Sequence, residues 1–210
     1  MTITMMIGGS SDLPEGYLNS LPEHDANFAT RILETLGFNN FDNRKPVKLI
    51  PDVQGTILGA YEKVFVLCDE RVRKCFWQPH DDLLQKALSI FPGGTLFVSA
   101  SKDSSNTFRY RFFENGTLIR DHGGNMDEGV TVDFGPPLPE EEPAFRNSRV
   151  IDGERIFFEA RVGGSREIEE YTIDAYGETL GLKITQRFIG KRDPRHLSVV
   201  PASLNAEMFF

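Results

Sequence analysis

The hydrophobic pattern along the chain predicts short strands separated by a few amphipathic helices. The clearest strand is residues 63–68 (KVFVLC), a continuous apolar run whose length fits a central strand of a sheet. Further runs of strand length lie at residues 2–7, 47–50, 72–77, 95–100, 130–134, 155–162 and 182–189. Together these segments predict an α+β fold, in which a mostly antiparallel sheet has two or three helices packed on one face.

The helices are predicted from apolar stripes bounded by capping residues. Asp25 is a residue type that caps helix N-termini, and apolar side chains recur after it at helical spacing. Gly37 followed by Phe38 is typical of a Schellman ending, which places glycine in the left-handed conformation and an apolar residue after it. Similar signals predict a second helix between residues 79 and 92 and a third between residues 165 and 181.

Asn115-Gly116 is the strongest local signal in the chain. Both residues accept positive φ, as a two-residue type I′ hairpin turn requires, so we predict that residues 108–113 pair with residues 117–121. Counting outward from the turn places Arg111 opposite Arg120. One face of the hairpin is then predicted to carry the aromatic core residues, which meet the helices, and the other face to carry the arginines. The aromatic face comprises Phe108, Tyr110, Phe112 and Ile119, and the opposite face comprises Arg109, Arg111, Arg120, Phe113 and Leu118.

Two arginines directly opposite each other repel, so an acidic group is expected to lie over them. One interpretation is internal pairing, because acidic residues at 140–142 follow the proline-rich segment 135–139, and Asp133 or Glu159 lies on a neighbouring predicted strand. The other interpretation is that the guanidinium groups bind a carboxylate, a phosphate or an acidic partner surface. The candidate anion-binding residues are Arg109, Arg111, Arg120, Glu140 and Glu142.

Composition narrows the class of protein. The 210 residues (23.7 kDa) fit a single α+β domain over residues 1–210, with a tail at 191–210 expected to be loosely packed or to lie against the surface. A net charge of −8 disfavours nucleic-acid binding and suits a basic protein partner. The sequence shows no signal peptide and no apolar window of membrane-spanning length, so we expect a cytoplasmic protein that does not bind membranes.

The chain offers no recognisable catalytic constellation. Its four histidines lack the spacing of metal ligands, and two cysteines are too few for a disulfide framework or a structural zinc site. The proximity of Cys68 and Cys75 is left open. No G-x-S-x-G elbow occurs, and the glycine-rich segment at residues 8–12 lacks the lysine of a P-loop. We therefore predict no metal and no cofactor.

Two short motifs carry a family resemblance. Residues 116–120 form G-x-L-x-R and residues 135–141 form G-x-P-L-P-x-E. An Asn-Gly hairpin followed by these motifs resembles uncharacterised bacterial α+β proteins of unknown function, over roughly residues 60–190. The resemblance implies a compact cytoplasmic domain with no established activity, and it carries over no catalytic residue.

Two hypotheses for function follow from these observations. The first is a non-enzymatic binding or interaction module, such as an acidic accessory protein or a toxin-neutralising partner of a basic protein. The second is an enzyme or a protein that binds a small carboxylate or phosphate ligand through the arginine cluster of the central hairpin. The sequence leaves the oligomeric state open.

Overall fold

A computed structural model describes residues 2–38, 41–43, 47–48, 56–76, 82–102, 107–125, 127–158, 180–181, 183–188 and 198–204. The strands are β1 (Thr2–Gly9), β2 (Phe41–Asn43), β3 (Val47–Lys48), β4 (Thr56–Tyr61), β5 (Val64–Cys68), β6 (Thr95–Lys102), β7 (Thr107–Glu114), β8 (Thr117–Asn125), β9 (Gly129–Phe134), β10 (Ser148–Ile151), β11 (Glu154–Phe157) and β12 (Ser198–Leu204). The α-helices are α1 (Ala26–Thr35), α2 (Asp82–Ile90) and α3 (Glu142–Arg146), and two 3₁₀-helices span Tyr17–Ser20 and Glu70–Phe76.

Ten strands form one sheet in the order β2-β12-β4-β5-β1-β6-β7-β8-β9, with β3 also paired to β12. Strands β10 and β11 form a separate two-stranded sheet. Every pairing in the described part of the chain is antiparallel. The α+β class and the antiparallel sheet predicted from the sequence are therefore confirmed, and β5 is a central strand between β4 and β1 as its apolar run indicated.

The end of the chain contributes to this sheet. Residues 198–204, which we expected within a loosely packed tail, form β12 and pair with β4 on one side and with β2 and β3 on the other. The neighbouring residues 189–197 and 205–210 lie outside the described part of the chain.

The sheet buries side chains on both faces. One face packs against α1, α2 and the second 3₁₀-helix through Leu33, Leu84 and Val72. The other face carries Phe108, Tyr110 and Phe112. Leu180, Ile184 and Phe188, from the helical residues 180–181 and 183–188, pack against them. The aromatic side of the hairpin was predicted to meet the two or three helices. It does pack against helical residues of the 180–188 region, but α1 and α2 pack on the opposite face.

Helix α1 has the predicted ends. The Asp25 carboxylate accepts a hydrogen bond from the backbone N–H of Phe28 at 2.9 Å, as an N-cap does. At the other end, the N–H of Phe38 donates to the Leu33 carbonyl at 2.9 Å and the N–H of Gly37 donates to the Glu34 carbonyl at 3.0 Å. This pair of hydrogen bonds is the Schellman pattern.

Two predicted strands are wrong. Residues 72–76 belong to the 3₁₀-helix Glu70–Phe76, whose first turn is held by the Asp69 carboxylate accepting the backbone N–H of Arg71 at 2.8 Å. Residues 183–188 are helical, and Ile184 and Phe188 are spaced four apart so that both enter the core. Residues 159–179, which hold most of the predicted third helix, lie outside the described part of the chain.

Candidate functional site

The central hairpin has the predicted turn but a different register. Asn115 and Gly116 have φ values of 49° and 73°, and Phe113 faces Leu118 as predicted. The register then shifts, so that Phe112 faces Arg120 and Arg111 faces Asp121. One extra residue, Ile119, is inserted into β8 as a β-bulge. The predicted pairing of Arg111 with Arg120 is therefore wrong.

The bulge divides the arginines between the two faces of the sheet. Cross-strand partners share a face of the sheet, so Arg111 lies beside Asp121. Arg109 and Arg111 are on the face that packs against α1 and α2. Arg120 lies beside Phe112 on the aromatic side. The three guanidinium groups do not form one cluster.

Asp121 neutralises the two arginines on the helix side. Arg109 binds both of its carboxylate oxygens, at 2.9 and 2.8 Å, and Arg111 donates to one of them at 2.8 Å. Burial alone would raise the pKa of the Asp121 carboxyl, but the two guanidinium groups hold it below its ordinary value. Arg111 also donates to the backbone carbonyls of Cys75 and Phe76, so it fastens the end of the second 3₁₀-helix to the hairpin.

On the other face, Arg120 is fully buried against an equally buried Glu141. Its Nε donates to the two Glu141 carboxylate oxygens at 3.1 and 3.0 Å, and Nη2 donates to one of them at 2.8 Å. Nη1 lies 2.6 Å from the Asp133 carboxylate, and the Asp133 side chain is 47 % exposed. Burial would lower the pKa of the guanidinium, but the two carboxylates raise it above its ordinary value, so Arg120 stays charged.

This ion pair also holds the chain segment that we call the elbow (residues 135–141). Nη1 of Arg120 donates to the carbonyls of Phe134 and Gly135, at 3.1 and 2.9 Å. The Glu141 carboxylate accepts the backbone N–H of Leu138 at 2.6 Å. Gly135 has φ +82°, and a Cβ there would lie 1.9 Å from the Ile119 carbonyl oxygen, so the elbow passes too close to the bulge for any other residue.

His122 lies beside the same pair. Its side chain is fully buried, its Nδ1 is 3.3 Å from Asp133, and its ring contacts Tyr110 and Phe145. Burial lowers the pKa of the imidazole to about 4, and the positive charge of Arg120 acts in the same direction against the smaller opposing effects of Glu141 and Asp133. His122 is therefore neutral at pH 7.

The remaining candidate residues have other partners. Glu140 forms a bidentate pair with Arg187, whose Nε and Nη2 donate to the two carboxylate oxygens at 2.7 and 2.5 Å. Glu142 pairs with Arg146 one helical turn away at 2.7 Å, on an exposed surface. The five residues proposed as an anion site are thus distributed over four separate ion-pair groups, and each is already paired with an opposite charge.

The described part of the chain includes a small cavity. This cavity, lined by Gly8, Phe91 and Thr95 among others, has a volume of about 10 Å³, which holds one water molecule at most. Within the same residues, no three His, Cys, Asp or Glu side chains cluster as metal ligands would. Burial raises the pKa of the Cys68 thiol to about 11, and Cys68 and Cys75 belong to the cores on opposite faces of the sheet.

Apolar side chains are exposed at the end of β9 and at the end of β10. Among the described large hydrophobic residues, Phe134 is 54 % exposed, Val150 is 61 % exposed and Ile151 is 46 % exposed. Phe134 ends β9, and Val150 and Ile151 end β10 at a hairpin whose second strand, β11, lies against β9. We call these three side chains the apolar rim.

The sequence matches one known family profile, "Family of unknown function (DUF6928)", over residues 3–155. The chain belongs to this family. The match includes the hairpin, β9, the elbow and the β10 strand, and it confirms the expectation of a protein from an uncharacterised family. Comparison with curated proteins and with solved structures found no match. No described helix is both long enough and apolar enough to cross a membrane.

The internal-pairing interpretation placed the acids at 140–142 or Asp133 near the arginines, and Arg120 does pair with Glu141 and Asp133. The sequence analysis missed the burial of the Arg120–Glu141 pair, and it missed the apolar rim. Arg120 and Glu141 are the last residues of the G-x-L-x-R and G-x-P-L-P-x-E motifs, so the two motifs meet in space at their final positions. Glu141 was considered only as one of three consecutive acids. A useful signal was available, because a single apolar Leu138 among prolines and acids indicates that this part of the segment faces a core.

Proposed function

We propose that this DUF6928 protein is a non-enzymatic binding module that presents the apolar rim to a protein partner. The observation that supports the proposal is the exposure of Phe134 at the end of β9 and of Val150 and Ile151 at the end of β10, whose partner strand β11 contacts β9. Exposed apolar side chains that occur together favour protein–protein contact, whereas isolated ones have no special meaning. Aromatic residues such as Phe134 are also enriched where interfaces are buried.

Charge around the rim favours a basic partner. From Asp121 to Phe145 the chain contains seven acidic residues and neither lysine nor arginine, although Asp121, Asp133 and the three glutamates at 140–142 already lie in ion pairs with arginines outside this stretch. Asp127 and Glu128 are exposed just before β9, and the Asp133 side chain is half-exposed on it. A positively charged partner surface would be attracted to this region, and the attraction would be strongest at low ionic strength.

The paired state of the polar groups supports binding over catalysis. The buried charges near the hairpin are each paired with an opposite charge or a backbone group, and the described cavity near Gly8 is too small for a substrate. The proposed module, in the cytoplasm, would then act by binding a partner protein, as an accessory or toxin-neutralising protein does.

The anion-binding alternative remains a weaker proposal. A carboxylate or phosphate ligand at Arg109 would have to displace Asp121, and a ligand at Arg120 would have to displace Glu141. Arg109 is the more accessible of the two, since its side chain is 21 % exposed. If this proposal is correct, citrate or phosphate should raise the melting temperature of the protein, and Arg109→Ala should abolish that increase.

A site-specific cross-linking experiment tests the main proposal. A photoreactive amino acid would replace Val150 in the full-length protein, and a matched version would replace Glu34, which is exposed on α1. We expect one discrete protein adduct from position 150 in cells and none from position 34. Val150→Ser together with Ile151→Ser should prevent co-purification of that protein, whereas Leu21→Ser, which changes another exposed apolar side chain (45 %), should not. Equal labelling from both positions, or binding that survives the rim substitutions, would contradict the proposal.

A further inference from the structure

Strands β10 and β11 form a hairpin that is separate from the main sheet. β10 (Ser148–Ile151) pairs with β11 (Glu154–Phe157), and the turn between them, Asp152-Gly153, has positive φ values of 52° and 88°. In the part of the chain that the structure describes, no strand pairs with the other side of β10. Such an edge presents unpaired backbone N–H and C=O groups, and a two-stranded hairpin in water gains stability when a further strand joins it.

The base of this hairpin is fixed to the rest of the protein. Phe157 is buried in the aromatic core, and the Ser148 hydroxyl donates to the Phe145 carbonyl at 2.7 Å. The N–H of Phe158 donates to the carbonyl of Asn147 at 3.0 Å, which continues the pairing beyond Phe157. The free edge of β10 is therefore held in one position, so binding there avoids the cost of ordering a flexible loop.

Both faces of the free edge carry an exposed apolar side chain. Val150 is 61 % exposed and Ile151 is 46 % exposed, and successive residues of a strand point to opposite faces. A partner surface laid against one face would cover only one of these side chains. A strand added at the edge brings side chains beside both of them, so the two exposures together favour strand pairing over contact with a flat surface.

The charge of the hairpin permits the approach of a second copy. The whole chain has a net charge of −8, but residues 148–157 contain two arginines, one aspartate and one glutamate, and so are neutral. Arg149 and Arg155 are exposed, and each lies over an aromatic ring, 5.7 Å from that of Phe158 and 5.2 Å from that of Phe145 respectively. Two hairpins can therefore meet without the like-charge repulsion that two acidic surfaces would cause.

We propose that β10 pairs in antiparallel fashion with β10 of a second copy, which joins the two hairpins into one four-stranded sheet across a two-fold axis. Such an axis leaves each side chain on its own face, so a residue can face only itself or a residue an even number of positions away. Centring the pairing on Arg149 would place like charges opposite each other, which is destabilising. Centring it on Val150 places Val150 opposite itself and Arg149 opposite Ile151 of the second copy, so both apolar side chains gain a neighbour.

This inference rests on the proposed binding function and names a second copy as the partner at the β10 part of the apolar rim. Phe134 lies on β9 and takes no part in this pairing. Because β10 has only four residues, the interface is smaller than that of a permanent dimer. We therefore expect association only at high protein concentration.

Sedimentation equilibrium of the purified full-length protein, from about 1 µM to about 1 mM, tests the pairing. We expect the average mass to rise from that of one chain toward that of two. Val150→Lys should abolish this rise because two lysines would face each other, whereas Leu21→Lys, which changes another exposed apolar side chain, should not. An equal mixture of Val150→Lys and Val150→Glu should restore the rise, since each lysine can then face a glutamate.

The outcomes separate this inference from the proposed function. The mass of one chain at every concentration, a dimer that survives Val150→Lys, or a mixture that stays monomeric overturns the inference. If position 150 then still gives a discrete adduct with another protein in cells, the proposed function stands and its partner is not a second copy. Circular dichroism of each variant shows whether the fold is kept. Ile151→Arg, which would face Arg149 of the second copy, provides a second substitution if Val150→Lys does not fold.

Discussion

Replacing Arg120 with methionine should destabilise the protein more than any other single charge removal in the hairpin. Methionine keeps much of the side-chain volume but leaves the Glu141 carboxylate, which is fully buried, without its cation. Removing one partner of a buried pair costs about 3–5 kcal/mol. Small proteins have about 5–15 kcal/mol of stability in total, so this loss would be a large fraction of it.

Urea unfolding at pH 7, followed by circular dichroism, measures the effect. With a slope of about 2 kcal/mol per molar urea, a loss of 4 kcal/mol moves the midpoint down by about 2 M. Arg109→Met is the matched control, because the Arg109 side chain is 21 % exposed and Asp121 keeps Arg111 as a partner. It should cost about 1 kcal/mol.

A double variant tests the cause of the loss. Glu141→Gln keeps an oxygen that can accept the Leu138 N–H but removes the charge. Arg120→Met with Glu141→Gln should therefore be more stable than Arg120→Met alone, because it contains no unpaired buried carboxylate. A loss below about 1 kcal/mol in Arg120→Met, or a double variant less stable than this single variant, would refute the reasoning.

Three further predictions concern His122, the two cysteines and Gly135. The pKa of His122 is about 4 in the folded protein and about 6.5 in the unfolded protein, so between these values the unfolded state binds one more proton. The free energy of unfolding should therefore fall by about 3 kcal/mol as the pH drops from 6.5 to 4. Urea unfolding of the native protein and of His122→Gln across this range measures it, and the decline should be smaller in the variant. The Cys68 thiol, whose pKa is about 11, should react with a thiol reagent at pH 8 far more slowly than a free thiol, because little of it is thiolate. Cys75 is buried and should react only on the timescale of unfolding. Gly135→Ala should lower the melting temperature by several degrees more than Gly116→Ala, because a Cβ at Gly116 meets nothing within 4 Å.

Each of these has a clear contradictory outcome. A decline with pH that is the same in His122→Gln would assign the effect to other groups, such as the Asp121 carboxylate. Rapid modification in the folded protein would contradict the raised pKa of Cys68 or the burial of Cys75. Equal melting temperatures for the two glycine variants would mean that the elbow does not approach the Ile119 carbonyl.

The sequence predicted best where a local rule fixes the backbone. Asn115-Gly116 specifies its turn through positive φ, and Asp25 with Gly37-Phe38 specifies both ends of α1 through hydrogen bonds within a few residues. The continuous apolar run of β5 predicted an interior strand, because its side chains enter a core on each face of the sheet.

The register of the hairpin could not be predicted from the same rules. The bulge at Ile119 has no distinctive composition, yet one inserted residue moves Arg120 to the opposite face. It also separates Arg120 from Arg111, so the expected repulsion does not arise. The three arginines therefore do not form the predicted cluster, although each of them pairs with a carboxylate.

Burial of charge was the second source of error. Consecutive glutamates after prolines are usually solvated, and only the tertiary structure brings Glu141 into the core against Arg120. The helical residues 183–188 were missed for a different reason. Their β-branched residues favoured a strand, but the four-residue spacing of Ile184 and Phe188 places both on one helical face, and packing decided the outcome.

The central claim is that a buried ion pair holds an exposed proline segment in one conformation. Leu138 has the only backbone N–H in residues 136–139, so its hydrogen exchange reports on this segment alone. Because that N–H donates to buried Glu141, we predict slow exchange in the native protein and exchange about a hundredfold faster in Arg120→Met, corresponding to about 3 kcal/mol. Exchange at the rate of an unprotected loop in the native protein, or no change in the variant, would contradict the account.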